Sequence, residues 1–376
     1  MILSIFKKKN TGSTIFITVI LKEAKNMNKL LNSIRLLKDR RVLINSAAFS
    51  GYLRGLSAKE EAAPHPFRVM VSKEMSDHVR SWRFIILLAL ILLTCFSSLY
   101  TSLSSIGTAV KANDPNGSFF FLKLFTLSDG TLPSFTVFIG FLGPLLGISM
   151  GFDAVNAELN GGTLTRILAQ PIHRDYLLNA KFTAALMLIG TLFFCLSFLV
   201  TGLGLIIIGV PPTADEFLRI IFFTILNILY VAFWLNLSIL FSVRFRQAAT
   251  SALTSIAVWL FFTVFYQIII NLIGSMLISP DASPYEKFNY QELIRNLLTF
   301  SPSRLYSDAS TTLLLPSVRS LGPLTLEKVV GTIPGPLPAG QSLLLVWPQL
   351  TGLIAATVLC FALSYYSFMK KEIRSR

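Results

Sequence analysis

Charged residues along this chain are interrupted by long runs that contain none. Residues 84–110, 130–152, 182–214, 220–243, 247–280 and 329–369 hold no Asp, Glu, Lys or Arg, and together they make up about half of the 376 residues. Each run contains roughly 20 or more consecutive apolar positions, the length a helix needs to cross ~30 Å of hydrocarbon at 1.5 Å per residue. Barrel strands would be ~10 residues long with alternating polarity, and open strands leave unpaired amides in lipid, so both are excluded. The pattern predicts an all-α polytopic membrane protein with six spans at about 84–106, 133–152, 182–210, 219–243, 248–278 and 345–369.

Between the spans, periodicity predicts smaller elements. Over 66–83, Phe67, Val71, Met75, His78, Val79 and Trp82 fall on one side of a helical wheel, with Lys73, Asp77 and Arg80 opposite. This is the pattern of an interfacial helix, with Trp82 as its aromatic anchor. Span two carries Gly143, Gly147 and Gly151 on one face, where a second helix can approach closely, within this chain or from another copy of it; Pro144 is expected to bend the span. The connection 279–344 is too long for a packing loop and is expected on the outer side of the membrane. Within it, 285–300 reads as an amphipathic helix with Phe288, Leu293, Leu297 and Leu298 on its apolar side. Ser303 is placed to cap a second helix, and the Pro- and Gly-rich stretch 331–340 returns the chain to the membrane.

Composition and charge then narrow the classes. Charged residues are 14% of the chain, against ~25% for a soluble domain. With the first span leaving the cytoplasm, thirteen Lys and Arg flank the spans on the inner side, including Arg166, Arg174, Lys181, Arg244, Arg246 and Lys370. The short outer connections supply Lys111, Lys123 and Arg219, so both termini are expected in the cytoplasm, the membrane being the inner, cytoplasmic one. The net charge of +14 owes much to the first 83 residues, with 16 basic and 6 acidic side chains. On a membrane protein that patch enforces topology and meets anionic headgroups, and no nucleic acid is expected as partner. Residues 1–65 read as a weakly ordered basic extension, and 370–376 as a cytoplasmic tail. Cys95, Cys195 and Cys360 sit in apolar runs and His65, His78 and His173 are scattered, so no metal site is predicted.

The connection 153–181 carries the most specific punctuation. Gly161 and Gly162 break the helix leaving span two, Thr163 can cap a short helix with the apolar stripe Leu164, Ile167 and Leu168, and Pro171 ends it; a further helix starts near Arg174. The series Glu158, Gly162, Thr163, Leu164, Pro171, Arg174 and Lys181 resembles the type-2 (ABC-2) permease family of ATP-binding-cassette exporters, as do the entry segment 67–83 and the tail 368–376. The resemblance covers 66–376. It implies a permease subunit working as a dimer with a second copy or a paralogue, with 162–170 as a coupling helix seated on a separate ATP-binding subunit. It also implies Glu158, Arg166 and Arg174 as polar contacts to that subunit.

The chain contains no Gly-Lys dipeptide, so it has no P-loop; ATP and Mg are expected on the partner, no cofactor on this chain, and no enzymatic activity in it. Neutral polar residues within the spans, Asn227, Tyr230 and Trp234 in the fourth and Gln267 and Asn271 in the fifth, either line a substrate path or bond between helices. An exporter permease is the leading function. A membrane scaffold that anchors an ATPase for maturation of extracytoplasmic proteins stands as the alternative, and an intramembrane enzyme is disfavoured by spans without charge.

Overall fold

A computed structural model describes residues 65–109, 119–128, 130, 132–164, 169, 173–277, 283–318 and 336–370. Among them every regular element is helical, and six helices are long and apolar enough to cross a membrane. The elements are α1 (Pro66–Val79), α2 (Trp82–Ala109), α3 (Phe120–Thr126), α4 (Phe135–Gly151), α5 (Asn156–Asn160) and α6 (Arg174–Ile208). Then come α7 (Ala214–Arg244), α8 (Ala248–Leu277), α9 (Pro284–Leu298), α10 (Pro302–Leu314) and α11 (Ala339–Lys370). The spans are α2, α4, α6, α7, α8 and α11. The residue extension 1–64 and the tail 371–376 lie outside the described residues.

Helix α7 is the axis of the bundle. It packs on α4, α6, α8, α10 and α11, and a capping box of Thr213 and Glu216 starts it. The three spaced glycines of α4 face α7, so they serve packing within the chain. A Cβ at Gly147 would stand 2.7 Å from the Val231 carbonyl oxygen, and one at Gly151 2.8 Å from that of Leu235. Backbone cannot yield as a side chain tip does, so Gly147→Ala is expected to cost about 1–3 kcal/mol. Gly202, with nothing near its Cβ position, is the control: Gly202→Ala should be neutral or raise the thermal midpoint in detergent. The same approach lets Ser238 donate to the Ile148 carbonyl (3.1 Å) and Ser242 donate to Asn156 Oδ1 (2.8 Å).

At the end of the bundle away from α1, Arg219 is fully buried. Its Nε donates to Asp215 Oδ2 (2.7 Å), its Nη1 to the Leu313 carbonyl (2.9 Å) and Ser342 Oγ (3.0 Å), and its Nη2 to the Leu337 carbonyl. Asp215 Oδ1 accepts from the Ala339 amide (2.8 Å), and Glu216 from the Phe121 amide (3.0 Å). One guanidinium thus gathers the start of α7, the end of α10 and the start of α11.

The connection after α8 is a helical hairpin that reaches into the bundle, a depth its sequence pattern does not specify. Ser283 and Glu286 form a capping box on α9. Ser301, not Ser303, holds the N-cap position of α10, and its hydroxyl donates to the Phe262 carbonyl (3.0 Å) instead of capping. Ser303 lies one residue inside the helix and bonds sideways, to Thr263 (2.9 Å) and Tyr230 (3.2 Å). Tyr230 and Thr263 each stand about halfway along their spans. The ring of Tyr306 stacks on Tyr230 at 4.3 Å between centroids, and its hydroxyl donates to Asn227 Oδ1 (2.9 Å). The turn of α8 facing the hairpin, Phe261–Phe265, is a π-helix, the wider geometry often seen where another element engages a helix.

Candidate coupling site

The site forms where α1 crosses the base of α6. Pro66 at the first turn and His65, whose Nδ1 accepts from the Phe67 amide (3.3 Å), start α1. Its covered face packs Val71 against Ala180 and Ala184 of α6, small residues that admit close approach, while Phe67 meets Tyr176 edge-on at 5.7 Å. Glu74 lies on that same covered face.

A carboxylate brought into such a contact needs a cation, and Lys181 of α6 supplies it. Lys181 Nζ lies 2.9 Å from Glu74 Oε2 and 2.8 Å from Glu158 Oε1, with its side chain 7% exposed. Lys73 adds a half-exposed outer rank, 3.0 Å from Glu74, 3.3 Å from Asp77 and 3.9 Å from Glu158. Lys181 therefore ties α5 and α6 to α1, whose Glu74 lies 107 positions away in sequence. Beside it Arg83, at the start of α2, pairs with Asp153 at 2.6 Å and covers the Phe152 ring at 4.8 Å. About 300 Å³ of space opens between these groups, lined by Lys73, Asp77, His78, Asp153, Glu158 and others.

The charges reshape their own titration. Burial alone would raise the Glu74 carboxyl, but the charge and hydrogen bond of Lys181, helped by Lys73, outweigh it and hold the carboxyl below its ordinary value. Burial alone would lower Lys73, and Glu74, Glu158 and Asp77 raise it instead. Burial pulls His78 down, Lys181 adding to the effect while Glu74, Asp153 and Asp77 oppose it.

The expected site residues divide clearly. Glu158 is 9% exposed and its Oε1 turns inward to Lys181; among the described residues Oε2 has no hydrogen-bond partner. Gly162 has φ +64°, the left-handed conformation that lets the chain break after α5. Thr163 donates back to the Glu158 carbonyl (3.3 Å), and Leu164 is buried in the main core. Arg174 opens α6, eight residues before the predicted span, with its guanidinium 6.0 Å from the Phe368 ring. Arg166, Ile167, Leu168 and Pro171 lie outside the described residues.

On the interfacial side, α1 ends at Val79, and Arg80 and Ser81 form a turn. Trp82 is then the first residue of α2, 77% exposed, rather than the end of the amphipathic helix. Glu74 was absent from the apolar stripe yet sits at its edge on the wheel, next to Phe67; an acidic residue in that position was the available signal. Of the polar span residues, Asn227, Tyr230 and Trp234 are buried in the bundle, and Asn271 is exposed. Tyr230 and Gln267 also border a second cavity near α10.

Six apolar spans, a preceding helix ion-paired to the connection between spans two and three, and a hairpin inserted after span five define a multi-pass membrane protein. Residues 68–373 match the family described as ABC-2 family transporter protein, and the chain belongs to that family. It is similar to the probable ABC transporter permease protein NosY of Stutzerimonas stutzeri, 28% identical over 244 residues, which cover 62% of this chain and 77% of that protein. The chain is thus a membrane permease subunit of an ABC transporter.

Proposed function

We propose that this permease moves its substrate outward across the cytoplasmic membrane, driven by ATP hydrolysis on a separate ATP-binding subunit that docks on the connection between α4 and α6. The observation that carries the reading is the Lys181 bridge. A lever transmits motion only if its base is fixed to what must move, and Lys181 fixes α5 to both α1 and the root of span α6. The inward turn of Glu158 makes it part of that fixation, and leaves the docking contacts to 162–170 and to Arg174. Both termini face the cytoplasm in this reading, on the side rich in Lys and Arg. A second permease copy completes the assembly, with α8, the least covered span, as its contact and lipid around the rest.

Affinity capture of the tagged chain from its native membrane, read by mass spectrometry, is expected to retain an ATP-binding subunit. Arg166→Ala should lower substrate-stimulated ATP hydrolysis of that complex several-fold without reducing membrane insertion. ATP hydrolysis by the purified chain alone, or stimulation untouched by Arg166→Ala, would remove the basis of the reading.

A further inference from the structure

We propose that the cavity between α4, α7, α8 and α10 binds a phosphate-type oxyanion, free or carried as the headgroup of an amphiphile. The cavity holds about 380 Å³ and opens halfway along α7 and α8, at the level of Tyr230 and Thr263. Its wall is unusual for a bundle of apolar helices, being rich in hydroxyls, with the amide of Gln267 and the guanidinium of Arg304. Most of the hydroxyls are engaged within the protein, Ser301 on the Phe262 carbonyl and Thr263 on Ser303 among them, which leaves Ser307, Gln267 and Arg304 to face a ligand.

The wall selects the sign of the ligand. Arg304 is the one charged side chain among the lining residues, and no Asp or Glu joins it there. Asp308, outside the cavity wall, pairs with one edge of the guanidinium, its Oδ1 3.0 Å from Arg304 Nε. Among the described residues nothing else pairs with the guanidinium, so its two terminal nitrogens are available for a fork onto an oxyanion. The Ser307 hydroxyl and the Gln267 amide are likewise exposed and donate to no described residue. Ser303, already linked to Tyr230 and Thr263, completes a donor-rich wall. A cation entering here would meet the terminal nitrogens of the guanidinium, with the Asp308 carboxylate on the far edge and outside the wall. An oxyanion meets donors on several sides.

Binding follows from the cavity alone; that the ligand is cargo rests on the exporter reading. The test uses the purified full chain in dodecyl maltoside, titrated with dodecyl phosphate, inorganic phosphate or dodecyltrimethylammonium. Fluorescence of Trp259, packed 4.9 Å from the cavity residue Phe141, is one readout and a radiolabelled ligand the other. Dodecyl phosphate is expected to bind saturably and the ammonium amphiphile not to. Arg304→Gln should weaken dodecyl phosphate at least about tenfold, the loss of one charge-assisted contact. Arg295→Gln on α9, outside the cavity, should leave binding unchanged. Competition by inorganic phosphate identifies a free oxyanion as sufficient; its failure to compete identifies the headgroup form. Should Arg304→Gln not fold, Gln267→Leu, at an exposed position, is expected to weaken dodecyl phosphate severalfold. Equal binding of the two amphiphiles, equal losses from Arg304→Gln and Arg295→Gln, or unchanged affinity in Gln267→Leu overturns the proposal. Oxyanion binding by a chain that captures no ATP-binding subunit would sink the exporter reading and leave the site standing.

Discussion

Lys181→Met should be among the most destabilising single substitutions in the chain, by about 3–5 kcal/mol, because it leaves two carboxylates buried without their shared cation. Glu74 and Glu158 are both largely removed from water, and Lys73 reaches them only from the half-exposed side. The expected readouts are a lower thermal midpoint in detergent and faster proteolysis at the turn between α1 and α2. The pH dependence separates this cause from lost packing. In the parent, the Glu74 carboxyl is depressed, so its contribution to stability is present above the unfolded value of about 4.3 and is lost as pH falls through the folded value. In Lys181→Met, burial raises the Glu74 carboxyl, so its contribution should be greatest in acid and fall as pH rises through the folded value. Parallel pH profiles for parent and variant would show that the lysine stabilises by packing and not by charge. Adding Glu74→Met to Lys181→Met should recover part of the loss.

The second large effect is expected at the other end of the bundle. Arg219→Leu removes a fully buried guanidinium and strands Asp215 together with the carbonyls of Leu313 and Leu337. The cost is again about 3–5 kcal/mol. It should be spatially distinct, loosening α10 and the start of α11 while the α1 contact with α6 holds. Hydrogen exchange resolves the two: the amides of 302–314 and 336–342 should lose protection first. Uniform loss across all helices would mean that Arg219 supports the whole bundle instead of clasping one end. Arg219→Lys should recover little, since an ammonium cannot span partners on three elements with fixed geometry.

The two residues with the largest expected effects show where reading the sequence succeeds and where it stops. Lys181 was visible as part of a spaced motif, yet its charge read as topology because its partners Glu74 and Glu158 are 107 and 23 positions away. Arg219 read the same way, as one of three basic residues on sparse connections. Apart from Asp215, its acceptors are carbonyls and a serine from segments more than ninety residues distant. The hairpin was legible as one amphipathic helix followed by a second helix, but no periodicity states how deep a polar helix inserts. That depth rests on Tyr306 meeting Tyr230 and on Ser301 meeting a carbonyl of the π-turn.

By itself the sequence determined the solvent. Hydrocarbon imposes a length and a ban on charge that any apolar run either meets or fails, so six spans, a helix before the first of them and the glycine face of α4 could be read locally. The diglycine break after α5 was equally local, because a left-handed turn is a property of one residue. Tertiary structure alone decided which charges are structural. A lysine on a helix looks the same whether it faces water or two carboxylates, and only the approach of α1 to α6, and of α10 to α7, brings those partners within 3 Å and makes each cation indispensable.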